Sequence, residues 1–280
     1  MRERLEPADA GKRIIAALTA RCPIADRVMI VAAHPDDETL GVGAQLCRFQ
    51  DALILHVTDG APRNGRDAAR YGFANTADYA AARHAELANA LRAGEAIGAR
   101  TLGLGIPDQE ACRDLADLTR RIAELLVSEK PRAVITHAYE GGHPDHDAAA
   151  FAVHAACWLV AAGSPPAIIE MALYHRGRNG VVRGDFLPAD RPATVIPLDE
   201  VEVSRKRRMF DCFTTQRWLL AEFPLDRERL RPAPDYDFRA SPHPGMLHYR
   251  TLRWSITGVK WRRAALAALN ELGLAHLSCL

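Results

Sequence analysis

The sequence predicts an α/β fold of the Rossmann-like, doubly wound type, with a mostly parallel sheet, helices on both faces and a smaller C-terminal extension. Apolar runs of strand length alternate with longer stretches of helical length over the first two thirds of the 280 residues. This alternation is typical of a parallel sheet that is covered by helices on both faces. A chain of this length can bury one full core. We therefore expect a main domain over residues 1–222 and an extension over 223–280 that packs on it.

The predicted strands are short, apolar and rich in β-branched residues, which favour extended backbone. They cover residues 27–33, 52–58, 101–104, 132–136 and 167–173, with a further short strand at 193–197. The predicted helices cover residues 39–49, 77–96, 111–126, 147–160, 200–212 and 262–272. Prolines interrupt every regular pattern between residues 224 and 244, so this segment is predicted to be irregular.

The bulk composition gives no electrostatic reason to expect a nucleic-acid partner. The 36 basic and 35 acidic side chains leave a formal net charge of +1. The six cysteines form no Cys-x-x-Cys pair, so neither a disulfide framework nor a thiolate zinc site is indicated. No apolar run resembles a signal peptide or reaches the ~18 residues that a membrane span needs. We expect a cytoplasmic protein without a membrane span, and homo-oligomerisation is left open.

Two polar motifs each follow a predicted strand. His-Pro-Asp-Asp-Glu at residues 34–38 follows the first strand, and Gly-Gly-His-Pro-Asp-His-Asp at residues 141–147 follows the strand at 132–136. Ionised carboxylates resist burial unless they are paired or bind a metal. In the common doubly wound order, strands one and four are neighbours where the winding reverses. The two motifs are therefore expected to meet in one crevice.

The imidazole and carboxylate groups of these motifs suit a zinc ion. His34 and Asp37 lie three residues apart on a turn that Pro35 stiffens, so both can face one ion. His146, at the predicted start of the next helix, is the best candidate for a third ligand. A catalytic zinc site keeps its fourth position open for water. Another divalent ion such as Fe²⁺ is the alternative.

Three groups are left over for proton transfer. Asp36 is free to act as the general base on a metal-activated water. His143 is free to stabilise the developing oxyanion or to protonate a leaving amine. Asp145 can orient His143 by accepting its second ring proton. The residues together predict a metal-dependent hydrolase.

The paired motifs, Ala-His-Pro-Asp-Asp-Glu at 33–38 and His-Pro-Asp-His at 143–146, resemble those of the PIG-L/LmbE-like deacetylases. The resemblance covers residues 25–220 and implies a zinc-dependent enzyme that removes acetyl from N-acetylglucosaminyl groups. It implies His34, Asp37 and His146 as the metal ligands. It also implies Asp36 as the base and His143 as the group that assists at the oxyanion or leaving group.

The resemblance further implies three substrate-binding residues. Arg83 lies on the second helix, where the family has an arginine that contacts substrate. Asp108 follows the third strand, where the family often has a carboxylate that binds sugar hydroxyls. Glycines 141 and 142 stand where some sugar-thiol members carry a tyrosine, and Tyr139 is the candidate replacement.

The first interpretation is thus a zinc-dependent N-deacetylase acting on a small-molecule amino-sugar conjugate. The first alternative is a metal-dependent amidase on a non-sugar or natural-product amide. The second is a non-catalytic, nucleotide-binding Rossmann module. The last is disfavoured because the turn after the first strand lacks the Gly-x-Gly-x-x-Gly phosphate cradle.

Several other residues have a structural and a functional interpretation. His137 and His154 are interpreted as structural histidines. Trp254 and Trp261 lie among basic residues, from Arg253 to Arg263, that could meet a membrane surface bearing a lipid-linked substrate. The preferred interpretation is that both tryptophans pack on the domain.

Overall fold

The computed structural model of the chain describes residues 7–161, 163, 165–252 and 254–280, so Arg253 lies outside the described residues. Its helices are α1 (Pro7–Thr19), α2 (Asp37–Val42), α3 (Arg66–Arg70), α4 (Thr76–Ala93), α5 (Leu115–Glu129), α6 (Pro144–Leu159), α7 (Glu200–Cys212), α8 (Arg217–Leu220), α9 (His248–Thr251) and α10 (Gly258–Glu271). Its strands are β1 (Val28–Ala32), β2 (Ala52–Thr58), β3 (Ala99–Ile106), β4 (Ala133–His137), β5 (Ala167–Met171), β6 (Tyr174–Gly177), β7 (Gly180–Arg183), β8 (Thr194–Pro197) and β9 (Arg227–Pro232). Turns of 3-10 helix cover Gly43–Arg48, Ala111–Arg113 and Thr214–Gln216.

The main sheet has seven strands in the order β3-β2-β1-β4-β5-β9-β8. Strands β1 to β5 run parallel, whereas β9 is antiparallel to both β5 and β8. Strands β6 and β7 form a separate antiparallel hairpin. The predicted α/β fold with a mostly parallel sheet is confirmed, and β1 and β4 are neighbours as the doubly wound order requires.

Helices cover both faces of the sheet, and this explains the uninterrupted apolar strands. Successive side chains of a strand point to opposite faces, so a strand that is covered on both sides must be apolar throughout. In β1, Met29 and Val31 face the core formed with α5, α6 and α10. Val28 and Ile30 face the core formed with α1, α2, α4 and α7.

The expectation of an irregular segment at 224–244 is wrong for β9, which lies inside the sheet. The charged sequence of β9 does not resemble that of a buried strand. In the folded protein, its buried charges pair with residues that lie far away along the chain. Glu228 accepts a hydrogen bond from Lys206 at 2.7 Å, and Arg231 donates to Glu170 at 2.6 Å. These side chains are at most 3% exposed. A buried charge is tolerated when it is paired and hydrogen-bonded.

The segment after residue 222 therefore contributes both a strand of the sheet and a cover for one face. Within α10, Trp261, Ala265, Ala268 and Leu269 are buried at the i, i+4, i+7, i+8 spacing of one helical face. This face packs on α5 and on the turn at Ala111–Arg113. Among the described residues, no helix combines the length and the apolar character that crossing a bilayer requires.

His154 is buried in the core, as its structural interpretation predicted. Its Nδ1 lies 3.2 Å from the Leu280 carbonyl oxygen, and its ring packs near those of Tyr236 and Phe238. Burial lowers the pKa of His154 from 6.5 to about 4. The folded chain therefore holds this histidine neutral, with its Nδ1–H donated to the carbonyl oxygen.

We expect the substitution His154→Phe to make the metal-free protein less sensitive to acid. The unfolded chain binds this proton near pH 6.5 and the folded chain only near pH 4. The contribution to stability is therefore full above pH 6.5 and is lost as the pH falls through about 4. At pH 5 the His154 ring is expected to have lowered the free energy of unfolding of the wild type by about 2 kcal/mol. Urea unfolding at pH 7 and pH 5 measures it.

His276 provides the control, because it is exposed on the same C-terminal segment. His276→Phe should lose as much stability between pH 7 and pH 5 as the wild type does. An equal loss of stability between pH 7 and pH 5 in wild type and in His154→Phe would show that protonation of His154 does not contribute to this loss.

Candidate metal centre

The two polar motifs meet at the carboxyl ends of β1 and β4. These strands pair in parallel, with Val28 opposite Ala133 and Ile30 opposite Ile135. The residues that follow each strand therefore leave the sheet side by side. The expected crevice lies at this edge, and both motifs are almost wholly buried in it.

The first motif forms a tight turn that brings His34 and Asp37 together. The backbone N–H groups of Asp36 and Asp37 donate to the His34 carbonyl oxygen at 2.9 and 3.2 Å. The His34 N–H donates to Asp37 Oδ2 at 2.8 Å, and His34 Nδ1 lies 3.1 Å from the same oxygen. The turn then runs directly into α2, which begins at Asp37.

The second motif forms the start of α6. His143 caps the helix, and its Nδ1 accepts the Asp145 backbone N–H at 3.1 Å. Pro144 occupies the first turn, where its fixed φ suits a helix start. Asp147 Oδ1 accepts the Gly141 N–H at 3.0 Å, which ties the loop before the helix to the helix itself. His146 is thereby directed toward the first motif.

The predicted ligands His34, Asp37 and His146 lie in contact. His146 Nε2 is 3.3 Å from Asp37 Oδ1, and the rings of His34 and His146 have centroids 5.3 Å apart. His146 Nε2 is buried without a hydrogen-bond partner among the described residues. A buried ring nitrogen left unpaired beside a carboxylate is costly in a protein alone, but it fits a metal ligand.

Neighbouring acids and histidines widen the possible donor set. Three overlapping groups hold their ligand atoms within 4.8 Å of one another, and they are His34 with His143 and His146, Asp37 with His137 and His146, and His34 with Asp108, His143 and Asp145. His137 has a structural use, because its Nε2 accepts the Ala33 N–H at 2.8 Å. That lone pair is therefore engaged with the backbone.

The cluster holds Asp37 in its ionised form. Burial raises the pKa of Asp37, but the adjacent His146, His137 and His34 outweigh burial and hold the pKa well below its usual range. Burial likewise lowers the pKa of His34, but Asp108 and Asp37 hold it well above its ordinary value. An ionised carboxylate is the form that binds a cation.

Asp36 turns away from this group and pairs with Arg83. Arg83 Nη2 donates to Asp36 Oδ2 at 2.8 Å, and both residues are at most 4% exposed. The same guanidinium donates to the carbonyl oxygens of Gly60 at 2.8 Å and Pro35 at 3.3 Å. Gly60 has φ of 67°, and a Cβ there would meet the guanidinium at 2.7 Å. The structure thus places the Arg83 guanidinium in contact with the Asp36 carboxylate.

Burial and Arg83 act on Asp36 in opposite directions. Burial raises the pKa of Asp36 to about 7, while the guanidinium of Arg83 opposes the rise. A carboxylate with a raised pKa is a stronger base than a solvated one.

The position of Arg83 is fixed by contacts from α4 to the turn at Thr214–Gln216. Glu86, one helical turn after Arg83, accepts hydrogen bonds from Thr214, Thr215 and the Thr215 backbone. Tyr79, one turn before it, accepts a hydrogen bond from Gln216 at 2.7 Å. Helix α4 is therefore clamped on both sides of Arg83.

The structure corrects how Asp145 and His143 interact. The Asp145 carboxylate does not accept the second ring proton, because the Asp145 backbone N–H occupies His143 Nδ1. The carboxylate instead accepts the backbone N–H groups of Gln109 at 2.6 Å and Ala111 at 3.1 Å. Burial, followed by His34, lowers the pKa of His143 well below its ordinary value. A neutral His143 carries its proton on Nε2.

Asp108 belongs to the cluster, but Tyr139 does not. Asp108 Oδ1 lies 3.2 Å from His34 Nε2 and 3.8 Å from His143 Nε2. Tyr139 is 3% exposed, and its hydroxyl donates to the Ala240 carbonyl oxygen at 2.9 Å. Its ring packs against Phe238 and Trp261 in the core. A hydroxyl that is engaged in this way is not available to a substrate.

Two aromatic residues at the site were missed from the sequence. Tyr174 lies edge-on to His146 with ring centroids 5.1 Å apart, and Trp254 lies edge-on to His143 at 4.6 Å. Tyr174 follows β5, the next parallel strand after β4, so the strand-end rule could have indicated it. Trp254 belongs to the basic and aromatic segment that the sequence analysis singled out, but no local pattern indicates its contact with His143.

Comparison with known proteins agrees with this architecture. The PIG-L family model, described as GlcNAc-PI de-N-acetylase, matches residues 29–157. That range includes both motifs, Arg83 and Asp108. Among solved structures, the deacetylase–teicoplanin complex of teicoplanin biosynthesis has a TM-score of 0.57 and 18% identity, and the match covers 75% of this chain and 100% of that one. This likeness establishes the fold.

Two curated relatives align with about half of the chain. The chain is 32% identical over 165 residues to 1D-myo-inositol 2-acetamido-2-deoxy-alpha-D-glucopyranoside deacetylase 2 of Saccharopolyspora erythraea, covering 50% of this chain and 58% of that protein. It is 31% identical over 153 residues to the probable N-acetyl-alpha-D-glucosaminyl L-malate deacetylase 2 of Bacillus subtilis, covering 53% and 68%. The motifs, the fold and these relatives together show that the chain belongs to the PIG-L family.

Proposed function

We propose that this protein is a zinc-dependent hydrolase that removes the N-acetyl group from an N-acetylglucosaminyl-type substrate. One observation carries the proposal. A buried donor set of His34, Asp37 and His146, with His146 Nε2 unpaired, adjoins a further carboxylate, Asp36, that Arg83 holds away from the set. Metal ligands and a separate base are the two components that metal-assisted amide hydrolysis requires.

His34, Asp37 and His146 would hold the ion in this proposal. Two imidazoles and one carboxylate are a ligand set that zinc accepts in hydrolytic sites. When bound, zinc polarises the acetamide carbonyl and lowers the pKa of a water molecule. Asp36 belongs to none of the donor groups found among the described residues, which leaves its carboxylate free for proton transfer.

The base Asp36 accepts a proton from water as the water oxygen bonds to the acetamide carbon. The C–N bond then breaks, and the proton passes to the nitrogen, which leaves as a free amine beside acetate. Arg83 keeps the Asp36 carboxylate oriented through this cycle and favours its ionised form before it takes up the proton. Its three hydrogen bonds make it a rigid support, so Arg83 is a positioning residue in this proposal.

His143 contributes a hydrogen bond rather than a full positive charge. The Nδ1 atom accepts the Asp145 N–H, so the ring donates through Nε2 toward the carbonyl oxygen of the substrate. A fixed donor aimed at developing negative charge lowers the barrier because it needs no reorganisation. The Asp145 carboxylate holds the loop that carries Asp108, and Asp108 is proposed to receive sugar hydroxyls.

Substrate class and location complete the proposal. The two relatives are named as deacetylases of glucosaminyl conjugates, which supports a small-molecule amino-sugar conjugate as the partner. We propose a cytoplasmic site of action.

Acetate release from a panel of N-acetylglucosamine conjugates and non-sugar acetamides tests the function. The zinc-loaded protein should release acetate from at least one conjugate, and a chelator should abolish this activity until zinc is restored. Activity restricted to non-sugar amides would favour the amidase alternative. Release of acetate unaffected by chelation would contradict the metal dependence.

We predict that alanine at His34, Asp37 or His146 removes the metal and the activity together, because three ligands are the minimum for such a site. Asp36→Asn is the matched comparison, since it changes the adjacent carboxylate by one atom. It should retain the metal and lose about 10²–10⁴-fold in turnover. Elemental analysis of reconstituted protein and initial rates measure the two properties. Loss of metal from Asp36→Asn would mean that the ligand and base assignments are reversed.

We predict that Arg83→Gln lowers kcat by about 10–100-fold, the usual scale for removing a residue that supports a catalytic group. The loss should be equal on a glucosaminide and on a small non-sugar acetamide, because Arg83 acts through Asp36. Arg83→Lys should recover part of kcat. A direct contact with sugar hydroxyls would instead reduce only the reaction on the glucosaminide.

A double-mutant cycle separates this role from simple loss of folding. In an Asp36→Asn background, Arg83→Gln should cost little further activity, because the group that it supports is gone. Additive losses in the double variant would contradict the positioning role.

A further inference from the structure

The described residues 247–252 and 254–261 lie beside the second motif and are hydrogen-bonded to it on both sides of Trp254. Before it, the His248 N–H donates to the Gly141 carbonyl oxygen at 2.8 Å. After it, Trp261 Nε1 donates to the Pro144 carbonyl oxygen at 3.1 Å. The contact is close, since a Cβ on Gly141 would meet Leu247 at 2.5 Å. The segment is therefore held against the loop that carries His143.

Trp254 is the partly exposed aromatic residue of this segment. Its ring meets the His143 ring edge-on, at 4.6 Å and 66°. Trp261, by contrast, is only 1% exposed and belongs to the core. An indole at this point is in contact with the proposed hydrogen-bond donor while part of its surface stays open. It can accept an apolar group without leaving its position.

The chemistry of an acetamido sugar matches this surface. Its acetamide is attached directly to a ring carbon, so an acetamide placed at Asp36 and His143 puts the pyranose ring next to His143. The hydroxyl groups lie around the edge of that ring, while its face exposes C–H groups. Asp108, 3.8 Å from His143, can receive hydroxyls, but it offers nothing to an apolar face. Aromatic side chains supply large apolar area with little loss of conformational freedom.

We propose that Trp254 packs against the pyranose ring of the substrate and positions its acetamide beside Asp36 and His143. The inference rests on the proposed function and extends it to a part of the chain outside residues 29–157, the range that the family model matches. Trp254 is a substrate-positioning residue in this arrangement. It selects substrates whose acetamide is carried on a ring.

Three variants test this role. Trp254→Leu removes the aromatic face, and Trp254→Phe retains a smaller one. Trp158→Leu is the matched control, because Trp158 is 46% exposed on the same helix as His146. Twelve residues of helix separate the two, about 18 Å. All variants are first checked for full zinc content and an unchanged unfolding transition.

Kinetics on two substrates give the first readout. Trp254→Leu should lower kcat/KM on an N-acetylglucosaminide by about 10–100-fold, the scale of losing apolar contact in a binding pocket. Acetate release from N-ethylacetamide should stay within about twofold, because no ring is present to be positioned. Trp254→Phe should fall between Trp254→Leu and wild type, and Trp158→Leu should match wild type.

Intrinsic tryptophan fluorescence gives a readout that needs no turnover. Titration of zinc-loaded protein with the deacetylated glucosaminide should change the emission of wild type and Trp158→Leu, but not that of Trp254→Phe. An equal loss of activity on both amides in Trp254→Leu, or an emission change in Trp254→Phe as large as that of wild type, would overturn the inference and leave the proposed function intact. Wild-type protein inactive on every acetamido sugar would overturn both.

Discussion

The buried ion pair between Asp36 and Arg83 is the interaction on which the site depends. Two adjacent aspartates at the end of β1 repel each other where no charge stands between them. The guanidinium draws Asp36 away, while the histidines hold Asp37. Neighbouring carboxylates thereby obtain different environments and different tasks. Such a pair stabilises the fold only modestly once desolvation is counted, so its value lies in orientation.

Much of the fold and the centre of the site could be predicted because they follow from local rules. Apolar strands reveal a sheet that is covered on both faces, and the doubly wound order brings residues 34 and 146 together. Side-chain partners were harder to predict. Arg83 was interpreted as a substrate contact, because its distance to Asp36 depends on how α4 packs. Tyr139 was misplaced because a strand-end tyrosine can point into the core as easily as into the crevice.

Strand β9 shows the same limit at the level of secondary structure. Its sequence, Arg-Glu-Arg-Leu-Arg-Pro, is mostly charged, which resembles a solvated loop between prolines. Only the fold supplies Lys206 and Glu170, which neutralise its charges inside the protein. Long-range pairing of charges leaves no local signal, whereas apolar periodicity does.

The Lys206–Glu228 pair also links the first motif to β9, which is the last strand of the sheet along the chain. Lys206 donates to the Leu40 carbonyl oxygen, and Glu228 accepts the Ala44 N–H, so α2 and the turn after it are fastened to residues 166 and 184 positions further along the chain. Contacts of such sequence separation slow folding, because a long loop must close before they can form. During synthesis, therefore, His34 and Asp37 emerge early but acquire their supporting framework only after β9 and the segment around Trp261 have been made. A chain that ends before β9 therefore lacks the partner that Glu228 provides for Lys206 and for the turn after α2, so the first motif loses part of its framework.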